Sequence, residues 1–139
     1  KLNVSYLEFN TMLDYVIYDS DNNVDKWSLF FLATSITTAD PDSLYNEFHS
    51  SQIGSNKDNT SRYNNPEADK LFDEARLILD VEEAKPVYAK IAKILNDEMP
   101  KIVVYANTYF DLYNPTLKDF KTSSLYNWTK ALKDAHIEE

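Results

Sequence analysis

Apolar positions along the 139-residue chain follow more than one period. Near the start, Leu2, Val4 and Tyr6 alternate with Asn3 and Ser5, which predicts a half-buried strand. Met12, Leu13, Val16 and Ile17 then recur at helical spacing, so a short helix capped by Asn10 is expected through Tyr18. The cluster Asp19-Ser20-Asp21-Asn22-Asn23 reads as a turn. Trp27 to Thr34, with Leu29-Phe30-Phe31-Leu32 inside it, reads as a strand buried on both faces. Strand, helix and buried strand in succession predict a βαβ unit, hence a parallel pair with a right-handed crossover.

The next segments carry helix start signals. Asp40-Pro41 places a capping side chain before a proline at the first helical position, and a helix to about His49 follows. Ser50 to Tyr63 is polar, rich in Asn and Ser, and expected to be a long surface loop. The start signal repeats at Asn65-Pro66-Glu67, after which Ala68, Leu71, Phe72, Ala75, Ile78 and Leu79 form one apolar stripe. Asp80 with Glu83 fits a capping box for a further helix that buries Val87, Tyr88, Ile91, Ile94 and Leu95. Pro86 falls inside that helix, where a kink or a frayed start is expected, and Pro100 ends it. Ile102-Val103-Val104-Tyr105 and Tyr109 to Tyr113 read as strands, broken off by Asn114-Pro115. In the tail from Lys118, Trp128, Leu132 and Ile137 suit a docked amphipathic segment. The expected organisation is a main lobe over residues 1–120 and a tail over 121–139.

Composition narrows the function classes. Hydrophobic residues at 43% and charged residues at 27% are ordinary for a globular domain. The net charge of −9 is spread along the chain with no cluster of Lys and Arg, which argues against nucleic acid as a partner. With no cysteine, disulfides, thiolate metal sites and cysteine nucleophiles are all excluded. Gly54 is the single glycine, so no glycine-rich phosphate loop exists. The chain begins at Lys1 within a strand-like pattern and without a basic-then-apolar leader, and reads as a piece of a longer protein.

Candidate chemistry is sparse. His49 and His136, the two histidines, lie far apart, and Asp40 with Asp42 fits helix capping better than calcium ligation. No metal and no cofactor is expected. There is no Gly-x-Ser-x-Gly elbow, and the acids Asp69, Asp73, Glu74, Glu82 and Glu83 fall on solvent faces of predicted helices. Most aromatic residues sit at positions compatible with a core. The sharper candidate is Ser35-Ile36-Thr37-Thr38-Ala39, between a predicted parallel strand and a capped helix, where α/β folds bind ligands. Such a loop is either an ordinary connection or a binding loop whose hydroxyls and extended backbone meet a peptide.

Several stretches carry a resemblance. Phe48-His49-Ser50-Ser51-Gln52-Ile53-Gly54, then Arg62-Tyr63-Asn64-Asn65-Pro66-Glu67-Ala68-Asp69-Lys70-Leu71, then Asp73-Glu74-Ala75-Arg76, resemble the family 5 solute-binding proteins of ABC importers. Asp40-Pro41-Asp42 resembles the acidic-Pro segment after that family's ligand loop. Lys90 to Pro100 resembles its helix that ends in proline before a strand. The likeness runs from about Lys1 to Phe120. It implies an α/β fold, one lobe of a type II periplasmic-binding architecture with a mixed sheet flanked by helices.

By that resemblance the chain is the C-terminal lobe of a non-enzymatic carrier, extracytoplasmic and either periplasmic or lipid-anchored. It would close with a missing N-terminal lobe over a peptide or other small solute and deliver it to a membrane permease. The implied ligand contacts are Ala33, Thr34, Ser35, Ile36, Thr37 and Asp40, with Arg62 and Tyr63 at the rim. One position departs from the pattern: Thr37 stands where peptide binders often carry an Asp for the ligand's amino terminus, and a hydroxyl forms no ion pair. Two other classes stay open, a glycan- or peptide-acting hydrolase and a structural or interaction domain.

Overall fold

The computed structural model describes residues 3–34, 40–108, 110–123 and 128–138. It is a mixed, helix-rich structure with one small two-stranded antiparallel sheet. Two compact units are present, one formed by residues 1–31 with 41–102 and the other by residues 32–40 with 103–139.

The first unit is built on two helices. Helix α3 (Pro66–Ala75) and helix α4 (Val81–Glu98) pack together, while helix α1 (Phe9–Leu13) and helix α2 (Ser43–Phe48) are short. Asn65 caps α3 by accepting from the amides of Glu67 and Ala68 at 2.9 and 3.1 Å, and Pro66 opens the helix where its missing N–H costs nothing. Asp80 caps α4 in the same way through the amides of Glu82 and Glu83. Met99, in the left-handed conformation with φ 46°, closes α4 just before Pro100. The core is Phe48, Ala68, Phe72, Ala75, Val87 and Ile91, with Leu71, Tyr88, Ile94 and Leu95 half-buried against it. All of these but Phe48 are apolar positions that the helical period selects. Leu79 differs, because α3 stops at Ala75 and leaves it 98% exposed.

Two helix starts differ from expectation. Glu8, not Asn10, caps α1, accepting from the Thr11 amide at 3.2 Å, and a π-helical turn (Asp14–Tyr18) continues it. The start expected at Asp40-Pro41 is displaced as well. α2 begins at Ser43 with Asp42 at the cap position and no side-chain capping bond. The Asp42 carboxylate instead meets the Arg76 guanidinium at 2.9 Å, since an ion pair outcompetes a neutral amide donor.

The strand predictions are corrected. No strand forms among the described residues of 3–8, 27–34 or 102–113, so the parallel βαβ unit is not observed there. Leu2 and Tyr109 lie outside the described residues. Trp27 to Thr34 is not buried on both faces, for Leu29 is 76% and Phe31 64% exposed. A strand is defined by its ladder of bonds to a neighbour, so β-forming residue types alone do not make one.

The second unit holds the sheet. Strand β1 (Leu117–Lys118) pairs antiparallel with strand β2 (His136–Ile137), Leu117 opposite Ile137, and a 3-10 turn (Trp128–Lys133) lies between them in sequence. The Asn114-Pro115 break is realised as a turn in which the Leu117 amide donates to the Asn114 carbonyl at 2.9 Å.

Candidate functional site

The loop from Ser50 to Asn65 is fastened at both ends and in the middle. Its hub is Asn59, 2% exposed, whose side-chain amide donates to the carbonyls of His49 and Tyr63 while its oxygen accepts from the Tyr63 amide and the Ser61 hydroxyl. A buried amide saturated in this way holds two stretches of backbone that no helix or sheet supports. Against residues 17–21, the Asn56 amide donates to the Ile17 carbonyl and the Ser55 amide to Asp21 Oδ2. Gly54 sits there at φ 132°, where a Cβ would meet Asp21 Oδ2 at 3.4 Å.

Arg62 and Tyr63, the two rim candidates, are in this loop. Arg62 takes a left-handed backbone, φ 53°, and its guanidinium donates to Asp21 Oδ1 at 2.9 Å. The Ser55 amide first, and Arg62 second, hold the Asp21 carboxyl below its ordinary value. The Tyr63 hydroxyl donates to Glu98 Oε2 at 2.6 Å, and the Asn65 side-chain amide donates to Glu98 Oε1 at 2.8 Å. Burial, with the Glu98 carboxylate beside it, pushes the Tyr63 phenol up to about 12. The same two donors hold Glu98 below the ordinary carboxylate range.

Beside the loop lies a cluster centred on His49, itself 8% exposed. Its Nδ1 accepts from the Ser51 amide at 3.1 Å and lies 2.8 Å from the Ser51 hydroxyl, capping the 3-10 turn Ser50–Gln52. Its ring stacks on Tyr45 at 4.2 Å, and Arg76 covers the Tyr45 ring at the same distance. Nε2 is buried and lies 3.6 Å from Asp73 Oδ1 and 3.9 Å from Asp69 Oδ1. Asp69 in turn accepts from both the amide and the hydroxyl of Ser50. Since Nδ1 accepts, the neutral ring carries its proton on Nε2, facing the two carboxylates. Sequence spacing did not bring His49, Ser51 and Asp69 together, because α3 folds back beside the loop over a separation of some twenty residues. The polar residues at 49–51 and the acids Asp69 and Asp73 were visible, but their mutual contacts were not.

The predicted site residues are distributed as follows. Ala33, Thr34 and Asp40 are exposed and belong to the second unit. Ser35, Ile36 and Thr37 lie outside the described residues. Arg62 and Tyr63 are brought together in the first unit, both engaged in fastening the loop. Among the described residues no group of three or more His, Asp or Glu side chains is arranged to hold a metal ion, and no helix is long and apolar enough to cross a membrane. Compared with protein-family models, curated proteins and solved structures, the chain matches none.

Proposed function

We propose that this chain is a ligand-binding lobe of an extracytoplasmic solute-binding protein, of the family 5 type, that carries peptides or a similar solute to an ABC permease. The reading is non-enzymatic: solute is held between two lobes of a type II periplasmic-binding fold and released to the membrane partner.

The observation that carries it is the Arg62-Tyr63-Asn64-Asn65-Pro66-Glu67-Ala68-Asp69-Lys70-Leu71 block. Its individual residues have physical work that suits a rigid lobe. Asn65 caps α3, Tyr63 ties the loop to the end of α4, Arg62 ties it to Asp21, and Asp69 ties α3 to Ser50. A carrier needs such rigidity, because closure moves lobes as bodies around their hinge. On this reading Ala33 to Thr37 and Asp40 meet the solute through backbone groups and hydroxyls, and Arg62 and Tyr63 shape the loop more than they touch solute.

Native mass spectrometry of the full-length parent protein, incubated with a mixed peptide pool, tests this. Retention of peptides of varied sequence is expected. Thr37→Asp should then raise the share retained that have a free amino terminus over acetylated ones, since a carboxylate pairs with an ammonium and a hydroxyl does not. Retention of no peptide and no other small molecule would sink the carrier reading.

A further inference from the structure

The second unit carries a shallow, wide-open cavity of about 390 Å³. Four aromatic residues line it, namely Phe110, Tyr113, Phe120 and Trp128, with leucines between them. The rings of Tyr113 and Phe120 meet edge to face, centroids 5.0 Å apart. Among the described residues, Asp111 is the one charged side chain in the lining.

The composition of that lining selects a ligand charge. Aromatic rings present a negative face, so a cation gains over them, and an anion does not. A carboxylate at the same rim adds attraction for a cation and repulsion for an anion. Two lysines of the same unit are paired with other carboxylates. Lys118 is paired with Glu138 at 3.2 Å and Lys121 with Asp119 at 3.7 Å. Lys130 and Lys133 line a different cavity, together with Asp119 and Asp134. Trp128, 54% exposed, and Tyr113, 51% exposed, leave ring surface accessible to a ligand.

We propose that this cavity binds an alkylammonium group, either a quaternary amine of choline type or the ammonium of a lysine side chain. The rings supply cation–π contact and Asp111 the counter-charge. None of these residues is among the solute contacts named above, so the site stands or falls separately from the carrier reading.

The test is a titration of the full chain followed by nuclear magnetic resonance, reading the two indole N–H signals, with Trp128→Phe used to assign them. Choline, Nα-acetyl-lysine amide and 3,3-dimethylbutan-1-ol are added in turn; the last is the neutral isostere of choline. Saturable movement of the Trp128 signal with a cation, weak or absent with the alcohol, is expected, while the Trp27 signal stays still. The stronger of the two cations identifies which source of the ammonium the site prefers. Asp111→Asn should weaken cation binding by about two- to fivefold, the worth of an exposed charge pair. An equal response to the neutral alcohol, or no saturable response to either cation, overturns the proposal without touching the fold.

Discussion

At the scale of single residues, the polar side chains that carry structure are those whose bonding capacity is filled. Asn59 uses both donors and its acceptor, and in doing so replaces secondary structure as the support of a long loop. Tyr63 works differently, through a neutral phenol on a carboxylate. Its folded value of about 12 lies above its ordinary 10, so the stabilisation it gives is complete below pH 10 and disappears as pH rises through about 12. Glu98 has the opposite sign. Its value is lowered, so its contribution is present above the ordinary carboxylate range and fades as pH falls through the lowered value. Ultraviolet titration of the tyrosinates should therefore show a late step at about pH 12, and Tyr63→Phe should remove it. A late step that persists in the variant would show that another tyrosine is responsible.

At the scale of elements, α4 holds a conflict between local and tertiary preference. Pro86 lies inside the helix, where it removes one hydrogen bond and crowds the preceding turn, yet the helix runs unbroken from Val81 to Glu98. Burial of Val87 and Ile91, on either side of the next turn, offsets that cost. Pro86 itself is exposed, so replacing it disturbs no packing. Pro86→Ala is expected to raise the unfolding free energy by about 2 kcal/mol in urea denaturation, the helix gain less the entropy returned to the unfolded chain. A loss of stability would mean that the proline shapes the entry of α4 against α3. The surface ion pairs on the same helix, Lys85 with Glu82 and Lys93 with Asp97, are solvent-exposed and contribute little beside this.

At the scale of the whole molecule, burial is uneven. Every buried side chain among the described residues belongs to the first unit; in the second, Val103, Phe110 and Leu112 are 82–97% exposed. Cooperative stability follows buried apolar area, so opening should cost far less in the second unit than in the first. Hydrogen exchange is expected to protect the amides of α3 and the second half of α4 longest, and those of the second unit for less time. Comparable protection in the second unit would show that its stability does not follow buried apolar area.

The parts of this protein legible in the sequence are those whose causes are local. Asn65-Pro66 and Asp80 announce α3 and α4 because a capping side chain bonds amides two or three residues ahead. The core positions Ala68, Phe72, Ala75, Val87 and Ile91 follow because a helix returns to the same face every 3.6 residues. Pro100 and the Asn114-Pro115 turn are local for the same reason. Other features were decided by distance in space. Asp42 stands at the cap position of α2 without capping it, its carboxylate meeting the guanidinium of Arg76, thirty-four positions on. His49 is buried between Tyr45 and two aspartates because α3 packs back on the loop. Ile102 to Tyr105 has the residues of a strand but not its structure, because half of every ladder hydrogen bond comes from another segment. The aromatic cavity also gathers positions 110, 113, 120 and 128, whose spacing follows no single period. Helices carry their bonding within themselves and can be read from neighbours in sequence; sheets, loop fasteners and cavities are made between distant segments, and only the folded chain supplies both sides.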